Sequence, residues 1–225
     1  MNYEEHFNLS VQKRDDFWKS IGQVNPDVIG NLINPAFTGG PRWPSLRQAF
    51  IAIETPNATI IASDGLSDPY DDYDTNPQNQ SYNGLGLELY IATPSKFADL
   101  NAIIKSWEFG VLRHVAHTAA SNPNLGGMLA QYRFISTTVT VDDIPENFLD
   151  PNGDAGVLLG RESKIVPPTL ALSIETITLV NAYLLMPEEL VYIMKNGAQG
   201  RIEIGERLMK LEAAGVIDVD RTSVV

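Results

Sequence analysis

The run Ser63-Asp64-Gly65-Leu66-Ser67-Asp68-Pro69-Tyr70, followed by Gly84-Leu85-Gly86-Leu87-Glu88-Leu89-Tyr90-Ile91, constrains the fold more than any other part of this chain. A strand ends here in turn chemistry: Gly tolerates left-handed backbone, Pro fixes φ, and Ser and Asp hydrogen-bond their own main chain. After a polar excursion a second strand begins. Leu85, Leu87, Leu89 and Ile91 fall on one of its faces, and Gly84, Gly86, Glu88 and Tyr90 on the other. Glycines opposite an apolar face leave room for a close backbone approach, by an internal helix or a bound segment. The internal helix is the expected occupant.

Around these strands the pattern alternates between helix and sheet. Residues 3–21 read as a polar helix anchored by Phe7, Val11, Phe17, Trp18 and Ile21, and Asn25-Pro26-Asp27 as the start of a short helix ending before Asn34-Pro35. The Gly- and Pro-rich run 38–44 is loop, with Trp43 a lid over the core. Residues 48–54 and 59–63, separated by Thr55-Pro56-Asn57, predict an antiparallel hairpin. A helix over 96–118, with Ser95 near its cap, buries a stripe of Leu100, Ile103, Ile104, Trp107, Val111 and Thr118, and His114 points into that stripe. Asn122-Pro123-Asn124 with Gly126-Gly127 breaks the chain. Residues 132–141 and 155–159 are further strands, and 174–185 is apolar enough for a sheet centre. Pro187-Glu188-Glu189 starts a helix, a second follows Gly197 to about Ala214, and the tail 216–225 rejoins a sheet edge. With no repeat and no linker, residues 1–225 are expected to form one α+β domain, with a central mixed, mostly antiparallel sheet packed by helices.

Charge limits the partners. The chain carries 28 Asp and Glu against 16 Lys and Arg, a formal charge of −12 that disfavours nucleic acid and anionic membranes, both polyanions. There is no cysteine, hence no disulfide and no thiol nucleophile. No apolar run reaches the ~18 residues of a spanning helix, and Met1-Asn2-Tyr3-Glu4-Glu5-His6 lacks the order of a signal peptide. These features lead us to expect a cytoplasmic protein.

Chemistry-bearing patterns are few. Asp64, Asp68, Asp71, Asp72 and Asp74 crowd one loop; they can build the turn, face a partner or bind a hard cation through oxygen. His114 and His117 are three apart, but no further metal ligand can be named beside them. The sequence contains no Gly-x-Ser-x-Gly elbow, dinucleotide fingerprint, Walker loop or His-Glu-x-x-His, and no cofactor is expected.

The same residues resemble the suppressor of fused domain family. The likeness lies in the strand leading into Gly65-Leu66-Ser67-Asp68 and an aromatic, Tyr70, and in Asn83-Gly84-Leu85-Gly86-Leu87-Glu88-Leu89. It continues in the apolar strand before Met186-Pro187-Glu188-Glu189-Leu190, in Asn196-Gly197-Ala198, and in the tail Asp220-Arg221-Thr222-Ser223-Val224, and covers roughly residues 45–225. Pro69 stands where the family has an apolar residue, and leucines stand where animal members carry phenylalanines. Animal members add a second domain and grip a transcription-factor peptide between the two, an activity not carried over to one domain. Bacterial single-domain members look like immunity proteins that neutralise a toxin, often a basic nuclease. The resemblance therefore implies a non-enzymatic protein-binding module for a basic toxin domain. Its expected surface is Asp64, Ser67, Asp68, Tyr70, Asp71, Asp72, Asp74 and Glu88. The alternative is a metal-dependent hydrolase built on the Asp64–Asp74 loop.

Overall fold

The computed structural model describes residues 1–160 and 162–225. The β3–β4 hairpin (Ala49–Glu54 and Thr59–Asp64) forms as expected, with Ile53 opposite Ile60. β5 (Leu87–Thr93) lies antiparallel to β4 and parallel to β9 (Thr176–Leu185). β7 (Ala155–Gly160) and β6 (Phe134–Val139) extend the sheet antiparallel beyond β9. The short strands β1 (Gln23–Val24) and β2 (Ile29–Gly30) pair with β3, and β8 (Thr169–Ala171) pairs with β9. Among the described residues nine strands thus form one mixed, mostly antiparallel sheet in an α+β domain.

Alternation divides the core in two. On one face Leu87, Leu89 and Ile91 of β5 pack with Phe109, Leu112, Val115 and Ala116 of α3 (Trp107–Ser121), and with residues of α4 (Leu125–Tyr132) and α5 (Pro187–Leu208). On the other, Trp18 of α1 (Tyr3–Ile21) packs with Ile51, Ile53, Ile60, Tyr90 and Leu179. β9 is covered on both faces, which explains its near-continuous apolar sequence. Trp43 is buried against Phe50 at 5.5 Å between ring centres, closing the core from its loop.

Several local expectations are overturned. Residues 25–33 form no helix; a turn joins β1 and β2 there instead, because pairing with β3 satisfies their backbone. The helix over 96–118 is two, α2 (Leu100–Ile104) capped by Asp99 and α3 capped by Ser106. Restarting at Trp107 rotates the buried stripe onto Phe109, Leu112, Val115, Ala116 and Ala119, so His114 is exposed rather than in the core. Gly126 and Gly127 lie inside α4, with Gly126 against the Leu85 carbonyl. α5 bends at Gly197 (φ 59°) and ends at Leu208, short of Ala214.

The tail adds no strand to a sheet edge. Arg221 anchors it instead, donating to both oxygens of Glu189 (2.5 and 2.7 Å) and to the Leu184 carbonyl (3.0 Å), between the rings of Phe148 and Tyr183. Glu189, itself buried, also accepts the N–H groups of Met186 and Val224 at 2.8 and 3.0 Å. Arg221→Ala strands that carboxylate without its cation and is expected to cost about 3–5 kcal/mol in urea unfolding. Pairing Arg221→Met with Glu189→Gln is expected to recover much of the loss, since no buried charge is then left alone.

Candidate functional site

The acidic loop is assembled from beneath by α1. Asn2 caps the helix by accepting the Glu5 N–H at 2.9 Å, and the Glu5 carboxylate returns to the Asn2 N–H. The buried face of α1 is His6, Ser10, Arg14 and Trp18, each a full turn from the last. Three of the four are polar. The apolar anchors expected from the sequence, Phe7, Val11, Phe17 and Ile21, are only half-buried, with Trp18 alone at full depth.

Arg14, only 1% exposed, is the hub. Its Nε donates to Asp64 at 2.7 Å, one terminal nitrogen to the Ser67 hydroxyl at 3.0 Å and the other to Asp68. Arg47 reaches the same two acids from the other side, donating to the Asp64 carboxylate, to the Asp64 carbonyl at 2.7 Å and to Asp68 at 3.3 Å. Ser45 completes Asp68 at 3.1 Å. The third carboxylate, Glu88, lies 4.0 Å from Arg14 and is held mainly by the loop. It accepts the N–H groups of Gly65, Ser67 and Leu66 at 3.0, 2.9 and 3.4 Å, and the hydroxyls of Ser63 and Ser67. Successive main-chain donors converging on an anion form a nest. Two glycines permit it. A Cβ on Gly65 would sit 2.8 Å from the Arg47 carbonyl, and one on Gly84 (φ 53°) 2.5 Å from the carbonyls of Leu66 and Asp68. The close approach expected at the Gly84 strand is therefore made by the acidic loop itself, in place of a helix.

Titration follows from this geometry. Burial pulls the Arg14 guanidinium down, but Asp68, Asp64 and Glu88 outweigh it, and its pKa rises above the ordinary arginine value. Burial pushes the Asp64 carboxyl up, yet Arg14 and Arg47 hold it below its usual value. Burial raises Glu88, against the pull of Arg14 and the Ser63 and Ser67 hydroxyls. All the hydrogen-bonding groups named around Glu88 are donors, an arrangement that suits the carboxylate form. A second polar layer lies alongside. Asn83 accepts the N–H groups of Ile174 and Glu175 at 3.1 Å each, which orients its amide to donate toward His6, Ser10 and Ser173. Burial holds His6 below its usual pKa.

The residues named from sequence therefore separate into two groups. Asp64, Ser67, Asp68 and Glu88 converge but are buried, and the expectation that they face a partner is corrected: desolvated carboxylates had to be paired internally. Tyr70 is half-buried, and Asp71, Asp72 and Asp74 are exposed. Asp71 pairs with Arg42 at 2.6 Å, Asp72 accepts from Asn76 and Asn79 at 3.0 and 2.7 Å, and Asp74 accepts the Tyr3 N–H at 2.8 Å. The amides of Asn76 and Asn79 hold Asp72 below the ordinary carboxylate range. Next to this segment a groove runs toward the α3–α4 turn, with Tyr70, Asn79, Leu85 and Pro123 common to its two halves of about 320 and 430 Å³. For a hydrolase, Asp64 and Asp68 lack free oxygens, since guanidinium or hydroxyl donors occupy all four. No three His, Asp or Glu side chains among the described residues are grouped to hold a metal ion. Sequence reasoning missed Arg14 and Arg47 and placed Ser63 and Asn83 only within their motifs; for Arg14 the available signal was the four-residue spacing of His6, Ser10, Arg14 and Trp18.

Arg14→Met is expected to destabilise the fold by at least about 3–5 kcal/mol, and Arg14→Lys to restore little, because an ammonium cannot fork across three partners. Acid sensitivity has two stages. His6, whose folded pKa lies below 6.5, contributes stability present above pH 6.5 and lost as pH falls toward its folded value. Asp64, held below 3.8, contributes stability present above pH 3.8 and lost as pH falls through its lower folded value. Urea midpoints measured from pH 8 to 3 are expected to fall in these two windows; His6→Gln makes only the upper one shallower, since burial also holds His117 below its usual value.

No protein-family model matches the sequence, and no curated protein sequence matches it. Solved structures do. The Sufu-Fu complex crystal structure superposes with a TM-score of 0.62 over 97% of this chain and 92% of that one, at 13% identity. The crystal structure of Drosophila Suppressor of Fused gives 0.61 over 97% of this chain, which spans 51% of that protein's chain, at 12% identity. At such identities the likeness is one of architecture: the chain adopts the suppressor-of-fused-like fold.

Proposed function

We propose that this chain is a non-enzymatic protein-binding module whose partner is a basic toxin domain, which it neutralises in the cytoplasm as an immunity protein. The observation that carries the reading is the exposed set Asp71, Asp72 and Asp74 beside half-buried Tyr70, mounted on a buried ion cluster and opening onto a groove. A formal charge of −12 supplies the long-range field that speeds encounter with a cationic surface. One of the structural neighbours was solved as a complex with a protein, consistent with a protein partner here. Two further facts fit: the inner acids are committed to arginines, and no helix among the described residues is long and apolar enough to cross a membrane. Within this reading Asp64, Ser67, Asp68 and Glu88 act by holding the loop, and Tyr70, Asp71, Asp72 and Asp74 make the contact.

The test is a pull-down from native lysate, followed by association kinetics with the captured basic protein and growth protection on co-expression. Asp71→Asn, Asp72→Asn and Asp74→Asn combined are expected to slow association about tenfold or more at low ionic strength and to flatten its salt dependence. Tyr70→Ala is expected to act on dissociation. Unchanged rates would remove the loop from the interface, and absence of both binding and protection would end the toxin reading.

A further inference from the structure

A second surface lies apart from the acidic loop. Between Val28 and Leu46 the chain leaves large apolar side chains in water: Leu32 is 103% exposed, Phe37 72% and Ile33 65%. Isolated apolar residues on a surface need no explanation, but several on one short segment mark an interaction site. Asn31 and Pro35, which bracket Leu32 and Ile33, line a cleft of about 800 Å³ together with Ile104, itself 44% exposed.

The cleft's charges identify what covers it. One wall, along α2 and α3, carries Lys105 and Arg113; the other, the loop after β6, carries Asp142 and Asp143. The walls meet where Gly110 packs on Val141, since a Cβ on Gly110 would fall 2.5 Å from a Val141 methyl. None of the four charges pairs with an opposite charge among the described residues. Two cations facing two anions leave the cleft without net formal charge on a chain of −12. His117 lines the same cleft, and its buried Nε2 has no hydrogen-bond partner among the described residues.

We infer that this face is a self-complementary interface, on which a second copy of this chain docks by two-fold symmetry. In such an interface each patch meets itself, so the cationic wall of one copy meets the anionic wall of the other twice over. Leu32 and Ile33, between the cleft-lining Asn31 and Pro35, and Phe37 just beyond supply its apolar part. Two bodies each carrying −12 repel over most of their surfaces, and a neutral face with opposed walls is where that repulsion is smallest. A cationic or anionic peptide would find half of the cleft's charges against it.

Sedimentation velocity on the full chain over a wide concentration range tests the inference. Wild type is expected to sediment as two chains at high concentration and to dissociate on dilution. Ile33→Glu with Phe37→Glu, both at exposed positions, should give one chain with unchanged circular dichroism and melting. Lys105→Glu with Arg113→Glu should also give one chain, as should Asp142→Lys with Asp143→Lys. Mixing these two charge-reversed proteins in equal amounts is expected to restore the two-chain species, because both contacts regain opposite signs only in the mixed pair. A wild type that stays single throughout overturns the inference, even if the patch then captures lipid vesicles or another protein. A dimer indifferent to both reversals also overturns it.

Discussion

Three carboxylates and the Arg14 guanidinium removed from water, with half-buried Arg47 at their rim, dictate how the rest of this molecule is arranged. Charges at that depth cost several kcal/mol each unless every one is met by an opposite charge or a hydrogen-bond donor. Arg14 can meet Asp64, Ser67 and Asp68 at once only if α1 lies across the sheet in one rotation and one register. Glu88 can be satisfied only if the chain turns at Gly65 so that successive N–H groups point back at β5. The cluster therefore adds less to net stability than its many bonds suggest. It excludes alternative dockings of α1 and of the loop, each of which would leave a buried charge unmet.

That selectivity explains which parts of the fold were legible. Strands β3, β4, β5 and β9 were readable because apolar runs and turn residues report burial directly, residue by residue. The loop motif was readable too, but its meaning was not. Asp64 and Asp68 look the same in a sequence whether they face solvent or an arginine, and the arginines come from positions 14 and 47. On a helix rich in polar residues, Arg14 is indistinguishable from a solvated cation unless its spacing from His6, Ser10 and Trp18 is followed. His114 failed for a different reason. Its predicted burial assumed one unbroken helix, and Ser106 begins a new one with its own phase.

On the proposed reading, rigidity beneath the loop would favour recognition. A binding segment that must be ordered on contact loses rotamer and backbone freedom, at a cost set against affinity. Here the segment from Tyr70 to Asn83 is tied at both ends before any partner arrives: the Leu85 N–H donates to Leu66 at 2.8 Å, and the Asp71 N–H to Pro44 at 3.1 Å. Asn76 and Asn79 fold the intervening turn onto Asp72. The outer aspartates are thus presented in fixed positions. Their charge remains outside, Asp71 sharing its own with Arg42, while the three inner acids are mostly offset by two arginines, so Asp72 and Asp74 add outward negative charge at the surface.

The two surfaces lie toward opposite ends of α3. Ala120 and Pro123 border the groove beside the acidic loop, whereas Ser106, Gly110 and Arg113 border the neutral cleft. A 15-residue helix spans roughly 22 Å, so the two openings do not share lining residues on α3. A paired chain would then carry two outward acidic loops on one body, and two sites on one body bind a repetitive or dimeric partner more tightly than either alone when geometry lets both engage. Pairing would also concentrate negative charge near each loop, strengthening attraction for a cationic surface while the salt-sensitive repulsion between the copies is held away from the neutral face. The same net charge that keeps most surfaces of this protein apart thus favours contact where the charges cancel.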